Sequence, residues 1–258
     1  MRASARASVR GQPKLFAIFI AYNAEKALAE FWRVFPKELF HRVILVDDAS
    51  KDRTFALAQE LGIESYRNEV NRGYGGNLKR ALNIALEQGA DIIVDIHPDG
   101  EYKTSAIAPA LQEIERGAEF VLGNRFSDGH DPIKSGMFIW KVPVVMLLDA
   151  LCTIVLRLPI RDYHQGFRVY ARSLLEKVNY HANADDFSFS AQLLAQAAFH
   201  RCAVSQVPVE VQYTGKKRGA SLKNSILYTV QTLGVLAAFL LAKLGFPSKV
   251  FRKPDHAP

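Results

Sequence analysis

The sequence predicts an α/β protein, a mostly parallel sheet flanked by crossover helices. Short β-rich apolar runs alternate along it with stretches of helical period. Hydrophobic residues make up 49% of its 258 positions and charged residues 23%, the balance of a packed fold rather than a disordered or fibrous chain. Polar and charged residues gather just past one apolar run after another, where open α/β sheets bind their ligands.

Order is expected to begin at Leu15, because residues 1–14 are Arg, Ser and Ala with almost nothing to bury and read as a disordered basic tail. Leu15–Ile20 is the first strand and Glu25–Phe35 the first helix. Arg42–Val46 and Arg53–Leu61 repeat that pair, Ile63–Tyr66 adds a strand, and Gly75–Glu87 adds a helix. Asp91–Asp95 with Thr104–Arg116 is the next pair, and Phe120–Leu122 closes the series. Beyond Arg125 the pattern changes. Met137–Arg157 holds only Lys141, Asp149 and Arg157 as charges, and Ile226–Ala242 holds none. Asp149 lies mid-segment in the first, and the second, at 17 residues, falls short of the ~18–20 needed to cross a bilayer. Both are expected as helices lying in an interface or docked on the domain, with a span left open for the second, whose flanking Lys223 and Lys243 suit snorkelling. The division expected is a catalytic domain over 15–225, with an interfacial helix within 133–160, followed by an apolar helix and basic tail over 226–258.

The formal charge is +7 and belongs to the ends: 1–14 carries +4 and 243–258 carries +3, leaving a neutral body. Two basic ends on a neutral body suit contact with an anionic membrane surface and not nucleic acid, which calls for a basic face on the domain itself. Cys152 and Cys202 stand alone, so neither a zinc site nor a disulfide framework is indicated and a reducing cytosol fits. The early apolar run is too short for a secretory segment, so no export signal is expected. Nothing in the sequence bears on oligomeric state.

The strand ends carry the chemistry. Asp47 and Asp48 leave the second strand as paired carboxylates able to accept hydrogen bonds from a ribose or base, and Ser50 or Asp52 caps the helix after them. After the fourth strand, alternate residues His97, Asp99 and Glu101 offer one imidazole and two carboxylates, a donor set suited to Mg²⁺ or Mn²⁺ with places left for phosphate oxygens. A capped turn and a Pro-Asp-Gly turn are the plain alternatives at these two places. In Asn71–Asn77 the glycines before a helix offer backbone amides to an anion, with Arg72 adding charge; a flexible turn and helix start is the plain alternative there.

Together these runs resemble family 2 glycosyltransferases of the glycosyltransferase A fold, particularly polyprenyl-phosphate sugar transferases of the dolichyl-phosphate mannose synthase type. The resemblance covers about 15–225 and rests on Ala21-Tyr22-Asn23, Val46–Thr54, Asn71–Asn77, His97–Glu101, Gly123–Phe126, Asp162–Arg168 and Gly219-Ala-Ser221. It implies that Tyr22, Asn23, Asp47 and Asp48 hold the nucleoside, with Arg72, Gly76, Asn77 and His97 also on the donor. It further implies that Asp99 and Glu101, with His97, hold the metal, and that Arg125 meets the reacting diphosphate or the acceptor phosphate. Arg168, Lys216, Lys217 and Arg218 are the other cations for an acceptor phosphate, near Ser221, and Asp186 is the base if the acceptor is a hydroxyl. The chain departs from the family pattern in Ile20-Ala21 where a proline usually precedes Tyr-Asn, in Ala24 where a glutamate follows, in His97 at the first place of Asp-x-Asp, and in Gln192 where Phe-x-x-Glu ends, with Asp185 and Asp186 just upstream.

The activity this implies is metal-dependent, inverting transfer of a sugar from a nucleotide-diphosphate sugar donor to a membrane acceptor, polyprenyl phosphate first, at the cytoplasmic face of the membrane through a peripheral or weak anchor. Two other readings stand beside it: transfer to a sugar or lipid hydroxyl in polysaccharide or glycolipid synthesis, and a non-catalytic membrane-bound nucleotide-sugar binding protein.

Overall fold

The computed structural model describes residues 12–127, 133, 134, 136–213 and 222–254. The chain runs β1 (Leu15–Ala21), α1 (Glu25–Val34), β2 (Arg42–Asp47), α2 (Thr54–Glu60), β3 (Glu64–Arg67), α3 (Gly73–Glu87), β4 (Ile92–Asp95), α4 (Ile107–Glu115) and β5 (Phe120–Asn124). It continues with α5 (Lys141–Leu156), β6 (Arg168–Ala171), α6 (Arg172–Lys177), α7 (Ser188–Phe199), β7 (Val204–Pro208) and α8 (Leu222–Lys243). The strands form one sheet in the order β3-β2-β1-β4-β6-β5-β7. Every pairing is parallel except those of β6, which runs antiparallel between β4 and β5.

Both faces of the sheet are covered, so its central strands are apolar throughout rather than alternating. On β1, Phe16, Ile18 and Ile20 face α3, α7 and α8, while Ala17, Phe19 and Ala21 face α1, α2 and α4. Phe19 anchors the second layer, edge-on to Phe31 and Phe35 at ring distances of 5.3 and 4.9 Å. The first layer extends into the C-terminal segment, where Val235, Leu236, Phe239 and Phe251 join the same core. That segment therefore packs on the sheet domain, and the boundary expected at 225/226 falls inside α8.

All nine elements expected before Arg125 are present, with ends shifted by a few residues. Four further elements, β6, α6, α7 and β7, complete the sheet and cover it. Of the two apolar segments, α5 lies within 133–160, and α8 runs 22 residues against the 17 expected. Length and composition make α8 sufficient to cross a membrane, but three of its residues seat in the core as described, so it is docked along one face.

Candidate active site

The C-terminal ends of β1, β2, β4 and β5 open on the same edge of the sheet, and the loops there are stitched to one another. At the end of β1, Asn23 adopts the left-handed region (φ 53°), which asparagine tolerates better than most side chains. Its N–H donates to Ser50 Oγ (2.8 Å) and its Oδ1 accepts the Lys51 N–H (2.9 Å). Ala24 N–H donates to Thr54 Oγ1 (2.8 Å), and Asp52 Oδ1 accepts the Thr54 N–H that opens α2 (3.0 Å). Tyr22 stays half exposed above this seam.

The two carboxylates expected to hold a nucleoside are turned inward instead. Asp47 is fully buried; it accepts the Ser50 hydroxyl and N–H and pairs with Arg67 Nε at 3.3 Å. Burial pushes its carboxyl above the ordinary value against the pull of those hydrogen bonds. Asp48 Oδ1 accepts Asn68 Nδ2 (2.7 Å) and the Arg72 N–H (2.8 Å). Asn77, also expected on the donor, gives its Nδ2 to the Val46 carbonyl (2.9 Å) and takes Asn68 Nδ2 on its Oδ1 (2.9 Å). These residues shape the β2 end and its junction with α3, leaving Tyr22, Asn23 and Arg72 as the exposed members of the expected donor set.

The glycine run meets protein where an anion was expected. Gly75 and Gly76 donate their N–H groups to the Asp185 carbonyl at 2.7 and 3.1 Å. A Cβ at Gly75 would lie 2.8 Å from Phe189 Cβ, so the glycine is what lets the 184–185 backbone approach.

The acidic turn after β4 is half of what the sequence implied. Gly100 takes φ 75°, which ends the extended alternation that would aim three side chains one way. Asp99 is exposed at the tip and its Oδ1 accepts the Glu101 N–H (3.0 Å). His97 tucks beneath, its ring centroid 5.9 Å from Tyr74 and 6.5 Å from Tyr102, with Nε2 buried and lacking a protein partner. Among the described residues no three His, Cys, Asp or Glu side chains converge as a metal set. Asp99 and Glu101 remain as a pair of carboxylates. Burial, and then the Asp99 charge, push the Glu101 carboxyl up to about 7, against the opposing charges of Arg125 and Lys141. The turn is held from behind, because the Glu101 carbonyl accepts the Gln212 N–H (2.8 Å) and the Tyr102 hydroxyl accepts the Gly166 N–H (2.7 Å).

Neither arginine expected at the chemistry is a loose cation. Arg125, at the end of β5, binds Asp162 in a fork, Nε to Oδ2 and Nη2 to Oδ1, both at 2.8 Å. Its own N–H adds a third bond to Asp162, Nη2 also donates to the His164 carbonyl (2.9 Å), and Nη1 donates to the Tyr213 hydroxyl (3.1 Å). Arg168 lies entirely beneath the site: Nη1 donates to Tyr74 Oη (2.9 Å) and Ser190 Oγ (2.8 Å), and Nη2 to the Gln165 carbonyl (2.8 Å). Arg168 braces the floor of the site through these bonds. The base expected for a hydroxyl acceptor, Asp186, accepts the Ser188 N–H (2.9 Å) and Gln231 Nε2 (2.6 Å). Burial raises its carboxyl, but these bonds outweigh that and hold it below its ordinary value, which makes a poor base. Lys216, Arg218 and Ser221 lie outside the described residues.

Lys141 is the site residue that sequence reasoning passed over. It opens α5 almost fully buried, within the field of Glu101 and Arg125, with its ammonium 5.4 Å from the ring centroids of Phe138 and Trp140. A single cation at the head of an apolar run, directly after Trp140, was the available signal.

Comparison with known proteins agrees with this architecture. A UDP-N-acetylglucosamine–dolichyl-phosphate N-acetylglucosaminyltransferase of Methanococcus voltae is 26% identical over 78% of this chain and 86% of its own length. A polyprenol monophosphomannose synthase of Mycolicibacterium smegmatis is 25% identical over 69% of each. The structure of glucosyl-3-phosphoglycerate synthase from Mycobacterium tuberculosis, in complex with Mn²⁺, UDP and glucosyl-3-phosphoglycerate, superposes with a TM-score of 0.63 at 19% identity, covering 92% of this chain and 82% of that one, and so shares the glycosyltransferase A fold. The family model of Glycosyl transferase family 2 matches residues 16–178, more than half of the chain, which carries the strand-end loops, the acidic turn and Arg125; the chain belongs to that family of glycosyltransferases.

Proposed function

We propose that this glycosyltransferase moves a sugar from a nucleoside-diphosphate donor onto a polyprenyl phosphate at a membrane surface, with inversion. The observation that carries this reading is the strand-end cluster of Asp99, Glu101, Lys141 and Arg125, which lies at the head of apolar helix α5. Two relatives named for dolichyl-phosphate and polyprenol acceptors support it.

The residues present fit a divalent cation. Asp99 and Glu101 are hard oxygen donors whose mutual repulsion, together with burial, leaves Glu101 with a proton affinity well above a normal carboxylate. They would hold Mg²⁺ or Mn²⁺, which supplies neutralisation of the charge that builds on the departing diphosphate. Tyr22 and Asn23 border the nucleoside, Arg72 adds a positive charge at the end of β2 through its backbone bond to Asp48, and His97 supports the turn through its ring contacts.

In the reaction a phosphate oxygen of the acceptor forms the bond to the anomeric carbon as the bond to the diphosphate oxygen breaks, and that electron pair leaves with the nucleoside diphosphate. The nucleophile is already an oxyanion, so the protein needs to place it rather than deprotonate it. Lys141 supplies a positive charge for that placement, and Arg125, fixed by Asp162, sets the far wall. Commitment of Asp186 to Ser188 and Gln231 weighs against a hydroxyl acceptor.

The outer faces of α5 and α8 support membrane contact: Met146, Leu147, Ile154, Ile226, Leu227 and Val230 are each more than half exposed. Lys223 and Lys243 stand near the two ends of α8, suited to anionic headgroups on the cytoplasmic leaflet. Membranes carrying the protein are to be incubated with radiolabelled nucleotide sugars, with and without EDTA. Label is expected in the lipid extract and lost with chelation. Label confined to water-soluble product, or transfer indifferent to EDTA, overturns the reading.

A further inference from the structure

The inward faces of the two exposed apolar helices converge on one short segment, residues 162–168, that leads from the α5–β6 loop into the first residue of β6. From α5, Asp149 Oδ1 accepts the Tyr163 N–H at 2.8 Å. From α8, the Tyr228 hydroxyl shares a 2.9 Å hydrogen bond with His164 Nδ1, the rings meeting edge to face at 5.3 Å. The same loop holds the strand-end machinery on its other side. Asp162 grips Arg125 in the fork described above, the His164 carbonyl takes Arg125 Nη2, and the Gly166 N–H reaches the hydroxyl of Tyr102, the neighbour of Glu101.

His164 is thus one residue with two obligations: its ring meets α8 and its carbonyl meets Arg125. Its ring is almost completely buried, and burial together with the nearby arginine charges pulls it down to about 3, against the opposing pull of Asp162, so it is neutral in the physiological range. The link to α8 is accordingly a hydrogen bond between neutral groups, independent of pH near neutrality. Both helices contact each other and carry their exposed apolar surface on the side away from the loop. A shift of either helix has a direct, hydrogen-bonded route to the loop.

We propose that Tyr228 and His164 are positioning residues that couple the seating of α8 on a lipid surface to the placement of Arg125. This rests on the membrane reading above, and the experiment separates the two. Amide exchange of the full chain is followed by mass spectrometry with and without vesicles containing phosphatidylglycerol, and sugar transfer is measured to polyprenyl phosphate in the same vesicles and to a short water-soluble isoprenyl phosphate without them. In the parent protein, vesicles are expected to slow exchange in 222–243 and also in 162–168. In Tyr228→Phe the first protection persists and the second is lost, while the vesicle-dependent rate falls about fivefold, corresponding to ~1 kcal/mol for one neutral hydrogen bond, and the vesicle-free rate holds. His164→Asn, which keeps a polar atom near the Nδ1 position, is expected to retain coupling; His164→Leu is expected to lose it. Protection of 222–243 without protection of 162–168 in the parent protein overturns the coupling and leaves membrane seating intact. Equal loss of both rates in Tyr228→Phe reduces Tyr228 to a structural role and overturns it too. No protection of 222–243 removes the membrane reading, and the coupling with it.

Discussion

Asp162→Asn tests the central electrostatic assignment. Asp162 is fully buried and accepts three hydrogen bonds from Arg125, two from the guanidinium and one from the backbone N–H, and Arg125 is itself only 6% exposed. The asparagine keeps the volume and one oxygen acceptor but places an NH₂ against a guanidinium donor and removes the counter-charge. Leaving one member of a buried pair without its partner costs about 3–5 kcal/mol, which for a domain of this size lowers the melting temperature by roughly 6–20 °C at ~2–4 °C per kcal/mol. The pH dependence has a definite sign. Burial alone would raise the Asp162 carboxyl, but the Arg125 charge and hydrogen bonds outweigh it and hold it below its ordinary value. A depressed carboxylate stabilises the fold fully above its unfolded pKa and loses that contribution as pH falls, so the gap between parent and variant is widest at neutral pH and closes in acid. Denaturant unfolding of the parent, Asp162→Asn, Arg125→Met and the double variant forms the assay. The double variant is expected to lie nearer the parent than either single one. A single-variant cost below about 1 kcal/mol, the range of exposed ion pairs, would refute a buried, committed Arg125 and return it to the status of a free cation.

The backbone approach at α3 predicts opposite signs for two glycine replacements. Gly75→Ala forces the 184–185 backbone or Phe189 to move and is expected to cost about 1–3 kcal/mol, whereas Gly234→Ala in α8, with open space around its Cβ, gains up to about 1 kcal/mol of helix propensity; melting of the two variants checks both. Because the Glu101 carboxyl is raised to about 7, Mn²⁺ binding competes with its proton, so affinity measured by calorimetry should rise about tenfold per pH unit below 7 and level off above it. Glu101→Gln should bind weakly with little pH response, and an unchanged profile in that variant would remove Glu101 from the donor set. Folding runs the other way: a raised carboxyl resists ionisation in the fold, so metal-free stability falls as pH climbs from the unfolded value toward 7, and Glu101→Gln should abolish that slope in a thermal scan.

The N-terminal half of the fold was legible because each strand is a compact apolar run that ends on polar residues. The elements after Arg125 lacked that contrast. β6 opens with Arg168, a cation buried beneath the site, and β7 sets Ser205 and Gln206 side by side between its two valines. α7 is buried over nine of its twelve residues, so it shows no polar face from which a helical period could be read. At the site, the sequence disclosed residue types and not directions. Asp47 and Asp48 were correct as strand-end carboxylates, yet their partners, Ser50 in the turn after β2 and Arg67 and Asn68 at the end of β3, turn them inward. Arg125 stood in plain view, while the residue that neutralises it lies 37 positions away. Lys141 was hidden by company, one charge counted against an apolar segment rather than as that segment's contribution to the site.

Charge around the turn explains why two anionic substrates are expected to need a cation from solution. Asp99, Glu101 and Asp162 stand against Lys141 and Arg125, a formal balance of −1 at full ionisation. Arg125 gives most of its hydrogen-bonding capacity to Asp162, His164 and Tyr213, so its positive charge is largely internal to the protein. Among the described residues Lys141 is then the cation left beside the two carboxylates, and burial lowers its own affinity for a proton. A diphosphate and a lipid phosphate brought to that place would add several negative charges to a region already short of positive ones, and at separations of ~4 Å each uncompensated pair costs on the order of 4 kcal/mol near a protein surface. The described side chains by themselves therefore disfavour the anionic substrates proposed to meet there. A divalent ion on Asp99 and Glu101 reverses the local sign, which is the physical reason the donor, the acidic turn and metal dependence belong to one proposal and stand or fall together under chelation.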